Sequence, residues 1–163
     1  MKHLTKIAEV LNTVLTFMAG LVLTVMITLT CANIVFRLLW VPISGTYELM
    51  GFAGALLTAF ALAYTQVKKG HIAVDVLVTI FPKKTQWLLS AINNGMCFIF
   101  FMLAGWQLVI KANTLRTTGE LTETLRIIYY PFTYAVALGC GVLALTLLLD
   151  FLRQFIPSEE KKT

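Results

Sequence analysis

Hydrophobic positions gather into four long stretches that contain no Asp, Glu, Lys, Arg or His: residues 10–36, 49–67, 85–110 and 127–149. They hold 27, 19, 26 and 23 residues. About 20 apolar residues, rising 1.5 Å each, cross a hydrocarbon core of about 30 Å. Inside a bilayer the backbone N–H and C=O groups find no water, so each stretch must satisfy them internally, as a helix. The pattern predicts an all-α integral membrane protein, a single four-helix domain over residues 1–163. Pro131 suits a first helical position, where its missing N–H costs nothing. The predicted helices then cover about 10–36, 49–67, 85–110 and 131–155. The first stretch is too long for a cleaved signal peptide and has no small-x-small site before Arg37, so a retained helix is expected.

The connections carry the polar signals. Gly70 ends the second helix and Pro82 precedes the third. Between them Ile72, Val76 and Ile80 recur every fourth residue, with Val74, Leu77, Val78 and Phe81 around Asp75. The segment is too short to span and suits a short interfacial segment along the inner membrane surface; a buried connector is the alternative. Both termini and this middle loop carry 9 Lys and Arg, against 4 on the opposite side (Arg37, Lys111, Arg116 and Arg126). Basic residues accumulate on the cytoplasmic side, which predicts an N-in, C-in topology. Trp87, Tyr129 and Tyr130 lie near predicted span ends, where amphipathic rings favour the headgroups. Lys111 to Tyr130 is left as an outer loop of 20 residues, either a contact surface or a solvated connector.

Composition narrows the class. The 163 residues are 58% hydrophobic and 13% charged, whereas soluble domains are about 25% charged. So little charge cannot coat a water-soluble globule, which excludes an ordinary cytosolic enzyme, a disordered tail and a secreted disulfide scaffold. The net charge of +5 comes from short pairs such as Lys68–Lys69 and Lys83–Lys84 beside apolar runs. It forms no basic face with stacking aromatics, so nucleic acid is not expected as a partner. Cys31, Cys97 and Cys140 each stand alone in an apolar run and read as small hydrophobes.

No cluster capable of chemistry is visible. Charged groups inside the membrane mark ion paths and substrate sites, and the four stretches have no Asp, Glu, Lys, Arg or His. There is no phosphate-cradling loop, nucleophile elbow or metal-ligand spacing, so no catalytic, cofactor, metal or substrate site is expected in this chain. Asn33, Asn93, Asn94 and Gln107 read as interhelical hydrogen-bonding groups. Small residues fall every fourth position as Thr16, Gly20, Thr24, Thr28 and Ala32 in the first helix, and as Gly51, Ala55, Ala59 and Ala63 in the second. Ala135 with Gly139 and Ala137 with Gly141 repeat the spacing in the fourth. Such rows let backbones approach and act as helix-packing or subunit interfaces; chance spacing of common residues competes with that reading. The remaining apolar faces meet lipid or another subunit. Arg37 and Glu48 either pair across the outer ends of the first two helices or stay separately solvated. His71 and Asp75, four apart, suit a local hydrogen bond.

Taken in order, Arg37 ending one helix, Tyr47–Glu48 opening the next, Gly70-His71-Ile72-Ala73-Val74-Asp75 after it, then Gly119–Glu120 and Pro131–Phe132, form a pattern. It resembles the small membrane subunit (DctQ-type) of tripartite ATP-independent periplasmic (TRAP) transporters, over about residues 5–155. One departure is Leu49, where members often carry a second acid after the position of Glu48. The resemblance implies a stator or scaffold subunit in a bacterial inner membrane that braces a large elevator-type membrane subunit. That large subunit holds the sodium and substrate sites, so this chain needs no cofactor. A periplasmic binding protein delivers the organic anion: a dicarboxylate, another carboxylate, a sialic acid or a sulfonate such as isethionate. Arg37, Glu48, His71 and Asp75 would then be structural motif residues. A docking binding protein would meet the outer loop, whose Arg116, Glu120, Glu123 and Arg126 present both signs. A self-assembling four-helix channel is the rival reading, with the Thr row of the first helix as its polar stripe. A small membrane enzyme is a third, and it lacks titratable groups clustered at one depth.

Overall fold

A computed structural model describes residues 2–39, 41–67 and 82–154. It contains four helices: α1 (Lys2–Leu39), α2 (Thr46–Val67), α3 (Lys83–Thr118) and α4 (Tyr130–Gln154). All four are long and apolar enough to cross a membrane. Among the described residues the one extended feature is an isolated antiparallel bridge between Leu121 and Ile128.

The centre of the bundle is α4. Half of its apolar window (50%) is buried, against 11% in α1, 17% in α2 and 11% in α3. It packs on α3 most extensively and also on α2 and α1, while α1 and α2 form their own antiparallel hairpin. The core gathers Leu15 and Ala19 from α1, Ala59, Phe60 and Ala63 from α2, and Val142, Leu143 and Leu147 from α4. Two glycines permit the closest approaches. A Cβ on Gly139 would lie 2.8 Å from the Ala59 carbonyl oxygen, so α2 and α4 meet backbone to backbone. Gly105 faces Cys140 and the backbone of Ala137 and Gly141 at ordinary contact distance, which brings α3 onto α4.

The packed face of α1 runs through Ala8, Leu15, Val22 and Leu29 in steps of seven, with Asn12, Ala19, Met26 and Asn33 between. In α3 the same steps run from Ala91 to Ala112 and from Asn94 to Leu115. A spacing averaging 3.5 keeps one stripe facing a neighbour, as in left-handed bundles. Residues every fourth position instead drift by about 40° per step around a helix of 3.6 residues per turn. The sequence-predicted row of α1 therefore leaves the seam: Thr16 is half-buried, and Gly20, Thr24 and Thr28 are exposed. The α2 row divides as well, with Ala59 and Ala63 buried and Gly51 and Ala55 exposed.

Helix ends also depart from the span ends. Helix α3 continues through Lys111–Thr118, predicted as loop, because that segment has no breaker and buries Ala112 and Leu115. It stops at Gly119, whose left-handed φ of 65° lets its N–H bond the Leu115 carbonyl at 3.1 Å. A charge ends a membrane span; it does not end a helix. The α3–α4 connection shrinks to residues 119–129, and α3, at about 54 Å, is longer than the hydrocarbon core. The predicted interfacial segment, residues 68–81, and the tail, residues 155–163, lie outside the described residues.

Candidate functional site

The most organised polar structure lies where the α1–α2 turn meets the α3–α4 connection. The Asn33 side-chain carbonyl accepts the Ile43 N–H at 2.9 Å, and the Thr46 hydroxyl donates to the Ile43 carbonyl at 2.7 Å. These bonds close the turn and start α2. Gly45 has φ 76°, and a Cβ there would fall inside the Leu125 side chain, which lies over it. Glycine is the residue that fits both demands.

Glu48, in the first turn of α2, reaches the connection. Its Oε1 accepts the Thr124 N–H at 2.6 Å and its Oε2 accepts the Leu125 N–H at 3.0 Å. A carboxylate receiving two backbone donors makes charge-assisted bonds, roughly twice as strong as neutral ones. The turn it holds is closed by Thr122, 2% exposed. The Thr122 N–H donates to the Ile127 carbonyl at 2.9 Å, and its hydroxyl accepts the Ile127 N–H at 3.0 Å. Arg126 sits at φ 52°, a left-handed conformation that costs a non-glycine residue about 1–3 kcal/mol. Beneath the turn, Phe52 stacks on Phe132 at 4.3 Å and meets Tyr129 edge-on at 5.4 Å. The connection is thus bound to the other helical hairpin by a carboxylate, a leucine and an aromatic trio.

The charges predicted for docking remain outward. Lys111, Arg116, Glu120, Glu123 and Arg126 are all exposed. The Arg37–Glu48 pair is not formed among the described residues: Arg37 is exposed, and both Glu48 oxygens are engaged by backbone N–H groups. Two backbone donors beat a flexible guanidinium in this competition, because less side-chain entropy is lost. His71 and Asp75 lie outside the described residues. No signal in the sequence links Glu48 to Thr124, since the bond is made across a separation of 76 residues.

A second set of polar contacts ties α4 to its neighbours. The Asn12 amide donates to the buried Thr146 hydroxyl at 3.2 Å, and that hydroxyl donates in turn to the Val142 carbonyl at 2.9 Å. Its hydrogen is committed, so Asn12 must present its NH2, and the Asn12 Oδ1 is left buried without a partner. The Gln66 amide donates to an Asp150 carboxylate oxygen at 3.2 Å. Asn12 could have been found as a polar interruption of the seven-residue stripe. The threonines of the α1 row, half-buried Thr16 and exposed Thr24 and Thr28, behave differently: each donates to the carbonyl four residues back, at 2.7–2.9 Å. With their hydrogens used inside the helix, they offer methyl groups and lone pairs outward. Together with Phe17, Leu21 and Val25, the residues Thr16, Gly20 and Thr24 line a shallow groove on the outside of the bundle. Among the described residues, no three His, Cys, Asp or Glu side chains converge as a metal site would require.

Three membrane-crossing helices around a buried fourth, with polar groups used for cross-links, define a multi-pass membrane protein. The family profile of the DctQ component of tripartite ATP-independent periplasmic transporters matches residues 26–156, and the chain belongs to that family. The family is a transporter component, not an enzyme family, and its systems comprise a large membrane subunit and a periplasmic binding protein besides this small subunit. No curated protein matches the chain, and no solved structure does.

Proposed function

We propose that the chain is the stator of a sodium-coupled TRAP importer of an organic acid anion in a bacterial inner membrane. A large subunit carries the sodium and substrate sites, and a periplasmic binding protein delivers the anion. The observation that carries this reading is the use of polarity in the membrane. The stretches 10–36, 49–67, 85–110 and 127–149 hold no Asp, Glu, Lys, Arg or His, so an anion would cross them with no compensating charge. The channel reading relies on the α1 threonines, whose hydroxyl hydrogens are bound to their own helix. The exposed groove at Gly20 gives a neighbouring subunit's helix a place to approach closely, as small-residue faces do in lipid.

Reconstituted alone, the chain should give no anion uptake. With its large subunit and a loaded binding protein, uptake should require an inward sodium gradient. Flux through liposomes holding only this chain would favour the channel instead. The N-in, C-in orientation predicts that a cysteine at Glu123 is labelled by an impermeant maleimide in intact cells. A cysteine at Lys6 should react only after permeabilisation, and the reverse pattern would invert the topology.

A further inference from the structure

We infer that Glu48 is a positioning residue: it holds the Thr122–Ile127 turn in the shape in which Glu123 and Arg126 meet the secreted partner. The inference rests on the stator reading and names the surface and the device within it. Three observations converge on it. First, both carboxylate oxygens are used, one on each of two successive backbone N–H groups, Thr124 at 2.6 Å and Leu125 at 3.0 Å. Successive backbone N–H groups form a concavity suited to an anion, and here the protein fills it with its own side chain. Second, Glu48 stands on the opposite helical hairpin, so the bond fixes the turn relative to the whole bundle and not only to itself. Third, the turn includes the left-handed Arg126, a conformation that persists only where its surroundings enforce it.

The residues flanking the bonded amides are the outward charges. Glu123 precedes Thr124, Arg126 follows Leu125, and both are exposed. One acid and one base three residues apart on a stiff turn present a fixed charge pattern. The occupant they fit is a water-soluble protein whose contact surface carries a base and an acid in complementary order. Such complementarity sets encounter rate and register, and preorganisation lowers the ordering cost of binding. Glu48 itself need not touch the partner. Its neighbour Tyr47 is 84% exposed, whereas Glu48 is turned into the connection.

The test uses the complete transporter, small and large subunits in nanodiscs with the secreted binding protein. Glu48→Gln keeps the shape and removes the charge. The expected result is about a tenfold weaker association of the binding protein, from the loss of a charge-assisted pair of bonds. Recovery of the two-subunit complex and the maximal uptake rate at saturating binding protein should be unchanged. Amide hydrogen exchange should quicken at residues 122–129 and not in the helices, and Glu48→Asp should restore part of the affinity. Unchanged exchange at 122–129, or faster exchange throughout α1 and α2, would overturn the positioning role. The reading beneath it is separated by Glu123→Lys with Arg126→Glu, at the exposed charges themselves. If this double variant weakens association and Glu48→Gln does not, the turn docks but Glu48 does not position it. If neither changes association at low or high salt, the binding protein docks elsewhere and the inference falls with its surface.

Discussion

Replacing Gly139 with leucine is expected to abolish the compact bundle. The added Cβ would lie 2.8 Å from the Ala59 carbonyl oxygen and 2.9 Å from its carbonyl carbon, and these are backbone atoms of α2 that no rotamer change can move. Overpacking a well-filled core costs about 1–3 kcal/mol when side chains can yield, and more when they cannot. In lipid the separated helices are as well solvated by acyl chains as the packed ones, so packing itself holds them together. The purified chain should lose its cooperative thermal unfolding in mild detergent, and its complex with the large subunit should not be recovered. Leucine at Ala59, 3% exposed, should act alike, whereas leucine at the exposed Ala55 should leave the chain's own melting unchanged. Gly20 has nothing within 4 Å of a built Cβ. Gly20→Leu should therefore preserve the chain's melting while reducing recovery of the complex, if the α1 groove seats the large subunit. Parent-like melting of Gly139→Leu would mean that α2 and α4 do not cross at this point.

Phe52→Ala should release the α3–α4 connection. The ring is half-buried, stacked at 4.3 Å on Phe132 with an interplanar angle of 14°, and edge-on to Tyr129. Loss of its burial and both ring contacts is worth about 3 kcal/mol. Because Phe132 lies in the first turn of α4, the same change should loosen the outer end of that helix. Trypsin added from the outer side should cut after Arg126 much faster than in the parent, and the melting temperature should fall. Phe52→Leu, which keeps bulk without the ring geometry, should lie between. An unaltered cleavage rate would show that Glu48 and the Leu125–Gly45 contact hold the connection without the aromatic trio.

The four spans were legible because the requirement that makes them is local: uncharged length, and a backbone with no water to bond. The packing faces were less so. Of the every-fourth-residue rows, Ala59, Ala63 and Gly139 are buried between helices, while Gly20, Thr24 and Thr28 face out of the bundle, where a subunit interface would also leave them. In water the buried face of a helix is marked by hydrophobicity, whereas in lipid both faces are apolar and only residue size remains as a signal. Asn12, which bonds Thr146, is legible only against the seven-residue stripe of α1, not against the every-fourth-residue row.

Run length, charge content and a motif order read along the chain are enough to give the class, the number of helices and the family. The tertiary structure decided the rest. It chose α4 as the buried helix, although its mean hydropathy of 2.3 differs little from the 2.2 of α1. It carried α3 past Lys111 to Gly119 and so reduced the α3–α4 connection to a short, closed turn. Most of all, it took Glu48 away from Arg37 and gave it to Thr124 and Leu125. Two adjacent backbone amides of one turn are a better partner for a carboxylate than an exposed, solvated guanidinium, and they come within reach of Glu48 only once both helical hairpins have met.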